Sequence, residues 1–253
     1  MHDLIELMHQ RHSERAAYDP SRPLSESELG RLLEAARWAP TAHNMQDFEV
    51  VVVDDPAILG QIGVIATTVS ATFLRENYQQ LSFSEEELRR RKTGVLARQF
   101  PPAWVSPEPN ARALAPRLLA DSMRGCPALL VVLYDPRRRA PASEGDVLGV
   151  MSLGCLMQNL WLAAEDAGIA MQILSAFSST SVAAELSRVL ALPSELRIAF
   201  ACRLGHPVTA PEQYVRVRRE IADFAHRNRY GRRIAGASTQ SGAGTAPPAV
   251  PIS

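Results

Sequence analysis

From residue 144 to residue 167 the chain reads as one long helix with little charge until Glu165. A helix at a protein surface keeps a polar face. One that is apolar nearly all round is stable only where it is covered, either inside the fold or against another subunit. Around this element stand short apolar runs that read as buried strands. They are Phe48-Glu49-Val50-Val51-Val52-Val53, Ala128-Leu129-Leu130-Val131-Val132-Leu133-Tyr134, Ile169-Ala170-Met171-Gln172-Ile173-Leu174 and residues 195–204. Asp54-Asp55-Pro56, Asp135-Pro136 and Gly205-His206-Pro207 punctuate three of them.

Helical signals alternate with these strands. Residues 2–10 cluster Leu4, Ile5, Leu7 and Met8 on one side and deliver Arg11 at their end. Ser25-Glu26-Ser27-Glu28 is a capping box that opens an amphipathic helix over 26–38, which Pro40 closes. Another helix starts after Asp55-Pro56, and Ser178-Ser179-Thr180-Ser181 caps one that runs through Leu190. The middle of the chain, 57–122, is helical and polar with prolines at 101, 102, 107 and 109. Within it the run of Glu85-Glu86-Glu87 before Arg89-Arg90-Arg91 predicts a solvated helix face with pairs Glu85–Arg89 and Glu86–Arg90. Phe100 and Trp104 suit either a loop over an active site or the packing of a surface helix. The end of the chain, 235–253, has the Gly, Ala, Ser, Thr and Pro composition of a disordered tail. With no internal repeat, the reading is one α+β domain over 1–234.

Lys plus Arg and Asp plus Glu are equal at 27 each, so no global field favours nucleic acid or an anionic membrane. An anion site on such a chain must be local. Cys126, Cys155 and Cys202 lie far apart in apolar stretches without metal-ligand spacing, which reads as buried thiols in a reducing compartment. The first residues lack the basic and apolar regions of a signal peptide. No apolar stretch approaches the ~18 residues that span a bilayer. The expectation is a soluble, cytoplasmic protein with no membrane and no nucleic acid partner.

Two cassettes about thirty residues apart carry the chemistry. Arg11-His12-Ser13-Glu14-Arg15, if extended where it leaves a helix, puts Arg11, Ser13 and Arg15 on one side, because side chains alternate with period two. Such a row can meet a phosphate or the polar edge of a flavin. Ala39-Pro40-Thr41-Ala42-His43-Asn44-Met45-Gln46 brings carboxamides at Asn44 and Gln46 to a helix end, and amides both donate and accept, which suits a pyrimidine edge. Arg137-Arg138-Arg139 reads most simply as a solubilising turn, His206 as a turn residue and His226 as structural. Gly-x-Gly-x-x-Gly, Walker, Gly-x-Ser-x-Gly and His-Glu-x-x-His motifs are missing from the sequence.

The order of these cassettes resembles the nitroreductase family of FMN-dependent oxidoreductases. Two further segments carry the resemblance: Gly154-Cys155-Leu156-Met157-Gln158-Asn159-Leu160-Trp161 on the long helix, and Val215-Arg216-Val217-Arg218-Arg219-Glu220 followed by His226-Arg227-Asn228-Arg229-Tyr230-Gly231. It spans roughly residues 1–231. The resemblance implies a nitroreductase-like α+β fold, a central, mostly antiparallel sheet surrounded by helices in an interlocked homodimer. One FMN would lie at the subunit interface, with residues 70–122 as a variable helical segment over the active site. It also implies ping-pong transfer of a hydride from NADH or NADPH through flavin N5 to a small oxidised acceptor such as a nitroaromatic or quinone. A flavin-dependent dehydrogenase of a biosynthetic small molecule and a non-catalytic FMN-binding or storage protein are the alternatives. Carried over by position, Arg11, His12 and Ser13 would line the phosphate, ribityl and pyrimidine end, and Arg15 would reach the N1/O2 edge. Pro40, Thr41, Ala42, Asn44 and Gln46 would come from the partner subunit. Ile173, Leu174, Ser175 and Ala176 would lie against N5, and Arg216, Arg218 and Arg219 would hold the phosphate. Arg15 and Ser175 are the implied catalytic positions. The chain departs from the family at Ser152, where many relatives carry aspartate, at Asp47, where proline is usual, and around Leu174 to Ala176, where many have glycine.

Overall fold

The computed structural model describes residues 3–67, 83–92, 118–141, 143–209 and 216–234. Phe100, Trp104, most of 70–122 and the 235–253 tail, for which the sequence sets expectations, lie outside them. The chain divides into two compact units, residues 1–74 with 108–213 and residues 75–107 with 214–253.

In the first unit, strands β1 (Glu49–Val53), β2 (Ala128–Tyr134), β3 (Ala170–Ile173) and β4 (Arg197–Gly205) form one sheet in the order β1-β2-β4-β3. All three pairings are antiparallel. Six of the seven residues of β2 are buried, because helices cover both faces of the sheet and both sets of alternating side chains need apolar partners. Leu129, Val131 and Leu133 face one core with Leu59 and Ile62 of α3 (Pro56–Gly63), Leu119 and Met123 of α5 (Leu118–Met123), and Val182 and Leu186 of α7 (Thr180–Val189). Ala128, Leu130 and Val132 face the other, with Leu32 and Ala36 of α2 (Glu26–Arg37) and Leu156, Leu160 and Ala164 of α6 (Val147–Asp166). The register slips between Val132 and Leu133, which oppose Phe200 and Ile198, so Ala199 is the extra residue of a bulge. Helix α1 (Leu4–Gln10) packs against α6.

Local signals account for the helix ends. At α2 the Ser25 hydroxyl accepts from the Glu28 N–H at 3.2 Å, while the Glu28 carboxylate accepts from the Ser25 N–H at 2.8 Å. At α3 Asp55 caps and Pro56 fills the first turn, where its missing N–H has no cost.

The long helix differs from its sequence reading in one respect. Its 20 residues, with a mean hydropathy of 1.5 over the most apolar window, are enough by length and composition to cross a bilayer, contrary to the expectation that no stretch approached that limit. Ser152, Gln158 and Asn159 dilute the run without adding charge. The helix buries Leu156, Leu160 and Ala164 against the sheet and α2. Val147, Val150 and Met151 remain 54–62% exposed. Of the two ways of covering an all-apolar helix, burial within its own unit is thus only half met among the described residues. Among the cysteines, Cys126 and Cys202 are buried as expected and Cys155 on α6 is half-buried. Burial pushes the Cys126 thiol up to about 11.

The second unit contains α4 (Glu85–Arg91), capped by Ser84, and the segment 216–234 with α8 (Ile221–Phe224). The Glu85–Arg89 pair forms at 2.6 Å, but Arg90 turns to Glu87 at 2.6 Å and not to Glu86, since an i to i+3 neighbour is equally near on a helix. Lys92 closes α4 in the left-handed region and pairs with Asp223 at 2.5 Å. His226 bridges to Arg233, accepts the Gly231 N–H at 3.2 Å and stacks on Tyr230, which accounts for the structural role read for it.

Leu130 is fully buried at the centre of the sheet. Leu130→Ala is expected to lower stability by about 2–5 kcal/mol, measured by denaturant unfolding. A loss within error would contradict the assignment of that face to the core.

Candidate cofactor site

Helix α1 ends at Arg11, whose backbone leaves the helical region, and the chain continues extended beside β3. The Glu14 N–H donates to the Met171 carbonyl at 3.1 Å. Alternation then sorts the cassette. Glu14 points inward, 3% exposed, and its carboxylate accepts from the Ala16 N–H at 2.8 Å and meets His12 Nε2 at 3.1 Å. His12 Nδ1 lies 3.0 Å from the Gln10 carbonyl and 3.8 Å from the Glu165 carboxylate. Arg11, Ser13 and Arg15, each half-buried, form the alternate set. The Arg11 guanidinium lies 4.5 Å over the Trp161 ring, Trp161 Nε1 donates to the His12 carbonyl at 2.9 Å, and Arg15 donates to the Ser13 carbonyl at 3.3 Å. The row expected from spacing is therefore present, while His12, grouped with it by resemblance, shares its contacts with Glu14.

His12, Glu14 and Glu165 line one wall of a cleft of about 80 Å³ closed by Trp161, Met171 and Pro207. The Glu14 hydrogen bond holds the His12 imidazole above its ordinary value; burial opposes this, and Glu165 adds to it. For Glu14, burial works to raise the carboxyl, but the bonds from His12 and Ala16 outweigh it and the group lies below its ordinary range.

Arg203 fixes the cassette from below, and the sequence reading assigned it no role. It is 4% exposed on β4. Its guanidinium donates to Gln172 at 2.7 Å, to the Ala16 carbonyl at 2.9 Å, to the Ser122 carbonyl at 3.3 Å and to the Glu14 carbonyl at 3.4 Å. It also lies 4.2 Å over the Tyr18 ring, and the Tyr18 hydroxyl donates to the Glu14 carbonyl at 3.1 Å. A charge inside Ala201-Cys202-Arg203-Leu204 was the available signal, because a buried cation must find acceptors.

The second cassette is a strained loop. Thr41 is extended, Ala42–Asn44 make a 3₁₀ turn, and His43, Asn44 and Gln46 have φ of 51°, 52° and 48°. Each non-glycine residue in that region costs roughly 1–2 kcal/mol. The Gln46 N–H donates to Thr41 Oγ1 at 3.1 Å, and the Ala42 N–H donates to Ser152 Oγ on α6 at 3.0 Å. Asp47 at the exit pairs with Arg138 at 3.3 Å; burial raises its carboxyl, and Arg138 partly offsets that. Arg137 grips Asp135 at 2.8 Å, so two of the three arginines of that turn have carboxylate partners. Asn44 and Gln46 are exposed, as is Pro40, whereas Thr41 and Ala42 are half-buried.

At the end of β3 Ile173 is half-buried, and beyond it the Leu174 N–H donates to the Ala201 carbonyl at 2.9 Å. Ser175 is exposed at the start of the 3₁₀ turn Ser175–Ser178, followed by half-buried Ala176. The structure thus brings the first cassette beside β3, where Glu14 meets Met171 and Arg203 links the cassette to Gln172. The second cassette is held elsewhere on α6: Ser152 and Trp161 are nine residues apart on that helix, roughly 14 Å at 1.5 Å per residue. In the second unit Arg216 is half-buried, and Arg218 and Arg219, between Val217 and Glu220, are exposed. Arg218 donates to the Val217 carbonyl at 3.0 Å, and Arg219 lies 5.5 Å from the Phe224 ring. His206, read as a turn residue, is buried with its ring 3.3 Å from Glu28.

The nitroreductase family model matches residues 8–206. Among solved structures, the chain is similar to a protein of Desulfovibrio desulfuricans assigned as a nitroreductase and determined in complex with FMN (19% identity, 91% of this chain and 99% of that chain, TM-score 0.58). It is also similar to a Parabacteroides distasonis protein assigned as an NADH dehydrogenase/NAD(P)H nitroreductase (17% identity, 91% and 100%, TM-score 0.56). An iodotyrosine deiodinase bound to FMN and 3-iodo-L-tyrosine shares the fold (19% identity, 88% and 99%, TM-score 0.55). No curated protein matches the chain in sequence.

The His12–Glu14 pair sets a pH window. The raised His12 contributes fully below its ordinary 6.5 and loses its contribution as pH rises through the higher folded value. The lowered Glu14 contributes fully above its ordinary 4.5 and loses its contribution as pH falls through the lower folded value. The melting-temperature difference between the protein and His12→Ala is expected to peak between pH 4.5 and 6.5 and to shrink at alkaline pH. A difference that does not vary with pH would show that the ion pair contributes nothing.

Proposed function

Because the chain belongs to the nitroreductase family, we propose that it is an FMN-dependent oxidoreductase using NADH or NADPH and a small oxidised acceptor such as a nitroaromatic or a quinone. When bound, FMN supplies the hydride-carrying chemistry, and the protein binds, orients and tunes it. The donor set fits that group. Arg11 and Arg15 bring guanidiniums, Ser13 and Thr41 hydroxyls, and Asn44 and Gln46 carboxamides, which match a phosphate, a hydroxylated chain and a pyrimidine edge.

The observation that carries this reading is the 41–46 loop, which spends backbone strain to hold two exposed carboxamides in a defined geometry. Unfavourable φ at non-glycine positions persists where the surroundings impose it, and such positions cluster at ligand sites. In the proposed site Arg15 stabilises negative charge that develops on the ring's N1/O2 edge, and the backbone at Ser175 faces N5. Arg11 and Ser13 line the phosphate and ribityl end. His12 acts from the reverse side, by fixing the cassette through Glu14.

The separation of the two cassettes along α6 supports a homodimer with the flavin at the interface. A two-fold pairing of α6 helices running in opposite directions brings one chain's Ser152 end beside the other's Trp161 end, and it covers Val147, Val150 and Met151. Acceptor choice is not inherited from the fold, which also serves a deiodinase. A cytoplasmic location follows as part of the same proposal.

The test is the visible spectrum of the purified protein before and after anaerobic NADPH and then NADH. The expected result is a flavin spectrum, the released chromophore having the mass of FMN, that bleaches with one of the nucleotides. A protein that stays colourless after incubation with FMN would overturn the reading. A bound flavin that neither nucleotide bleaches would overturn the reductase direction alone.

A further inference from the structure

The second cassette has an anchor outside itself. Ala42 opens the 3₁₀ turn, so its N–H has no carbonyl partner within that turn. Ser152 accepts it at 3.0 Å, and the same hydroxyl donates its own proton to the Leu148 carbonyl one turn back in α6, at 2.7 Å. That back-bond fixes the serine rotamer and turns a lone pair outward to the loop. The other cross-bonds of the loop, Asn44 N–H to the Thr41 carbonyl at 3.0 Å and Gln46 N–H to Thr41 Oγ1 at 3.1 Å, are internal to it. Asp47 and Arg138 pair at the exit, one residue beyond Gln46. At the entry, Ser152 is what ties the loop to α6.

We propose that Ser152 is a positioning residue for the flavin: through Ala42 it holds the left-handed turn in which Asn44 and Gln46 meet the ring's pyrimidine edge. The inference rests on the flavin reading given above. Three consequences follow from the geometry. Hydrogen bonds to the pyrimidine edge fall off steeply with angle and distance, so a loosened turn weakens flavin binding. The same contacts weigh on the charge of the reduced ring, so the loosened turn also shifts the reduction potential of the bound flavin. On the helix Ser152 lies about 100° from Met151 and about 160° from Val150, so the anchor of the loop flanks the exposed apolar face and does not lie on it.

The experiment compares the wild-type protein with Ser152→Ala and Ser152→Thr, reading FMN affinity by fluorescence titration, the absorption bands and reduction potential of the bound flavin, and the melting temperature of the apoprotein. Losing one hydrogen bond to a backbone N–H is expected to weaken FMN binding about tenfold. Ser152→Ala should also move the absorption bands and the potential, and Ser152→Thr, which keeps the hydroxyl, should restore all three. Unchanged affinity and spectrum in Ser152→Ala, or a Ser152→Thr protein impaired to the same degree, would overturn the inference while leaving the flavin reading intact. A wild-type protein that binds no FMN overturns both. If Ser152→Ala does not fold, Ser152→Cys, which keeps the side-chain size and weakens the acceptor, takes its place with the same expected and contrary results.

Discussion

A single buried guanidinium holds the functional end of the first unit together. Arg203 lies almost fully out of water, and its N–H groups go to four acceptors on three pieces of structure: Gln172 of β3, the Ser122 carbonyl on α5, and the Glu14 and Ala16 carbonyls of the first cassette. Burying a charge costs far more than any one hydrogen bond returns, so such a residue is stable only while all its partners stay in place. The constraint acts in both directions. The segment that displays Arg11, Ser13 and Arg15 has no sheet ladder of its own, yet it inherits the rigidity of β3 and β4. The neighbouring glycine follows from the same packing: a Cβ on Gly205 would stand 2.8 Å from both Pro127 and the Tyr18 ring that covers Arg203. Only a residue without a side chain lets the ring approach.

The second organising element is α6. One side of it closes the sheet core through Leu156, Leu160 and Ala164. Its C-terminal half meets the first cassette through Trp161 and Glu165, and its N-terminal half holds the second cassette through Ser152. The helix therefore works as a ruler that separates the two cassettes proposed to meet the flavin. Groups so separated within one chain can act on one end of a ligand if the ligand lies between two copies. That arrangement would also cover the apolar residues of α6 that its own unit leaves exposed.

Much of this was legible in the sequence. All four strands fall within two residues of the apolar runs that announced them, because a sheet covered on both faces leaves few polar positions to blur the signal. The capping box at Ser25 and the proline at 56 marked helix starts by mechanisms that act locally. The alternation of Arg11, Ser13 and Arg15 followed from an extended backbone. What was not legible depends on tertiary partners. His43 and Asn44 are residue types that take left-handed φ more often than most, but Gln46 is not, and the surrounding bonds are what impose that conformation on all three. Arg203 looked like one more charge near a strand end until its acceptors were in place. The choice of Arg90 for Glu87 over Glu86 rests on side-chain rotamers that spacing does not determine. The run of α6 was apolar enough to pass for a bilayer span, a property its three uncharged polar residues, Ser152, Gln158 and Asn159, had obscured.

The central claim is that the two cassettes of one flavin site come from different chains, and mixed dimers test it most directly. One protomer carries Arg15→Ala and the other carries Asn44→Ala, each variant alone being impaired in holding FMN. In a mixed dimer with shared sites, one site collects both defects and the other collects neither. The account predicts one tightly held FMN per mixed dimer, counted by absorbance after exhaustive dialysis. If both cassettes served a site within one chain, every site of the mixed dimer would carry a defect, and the mixed dimer would retain no more FMN than either variant alone.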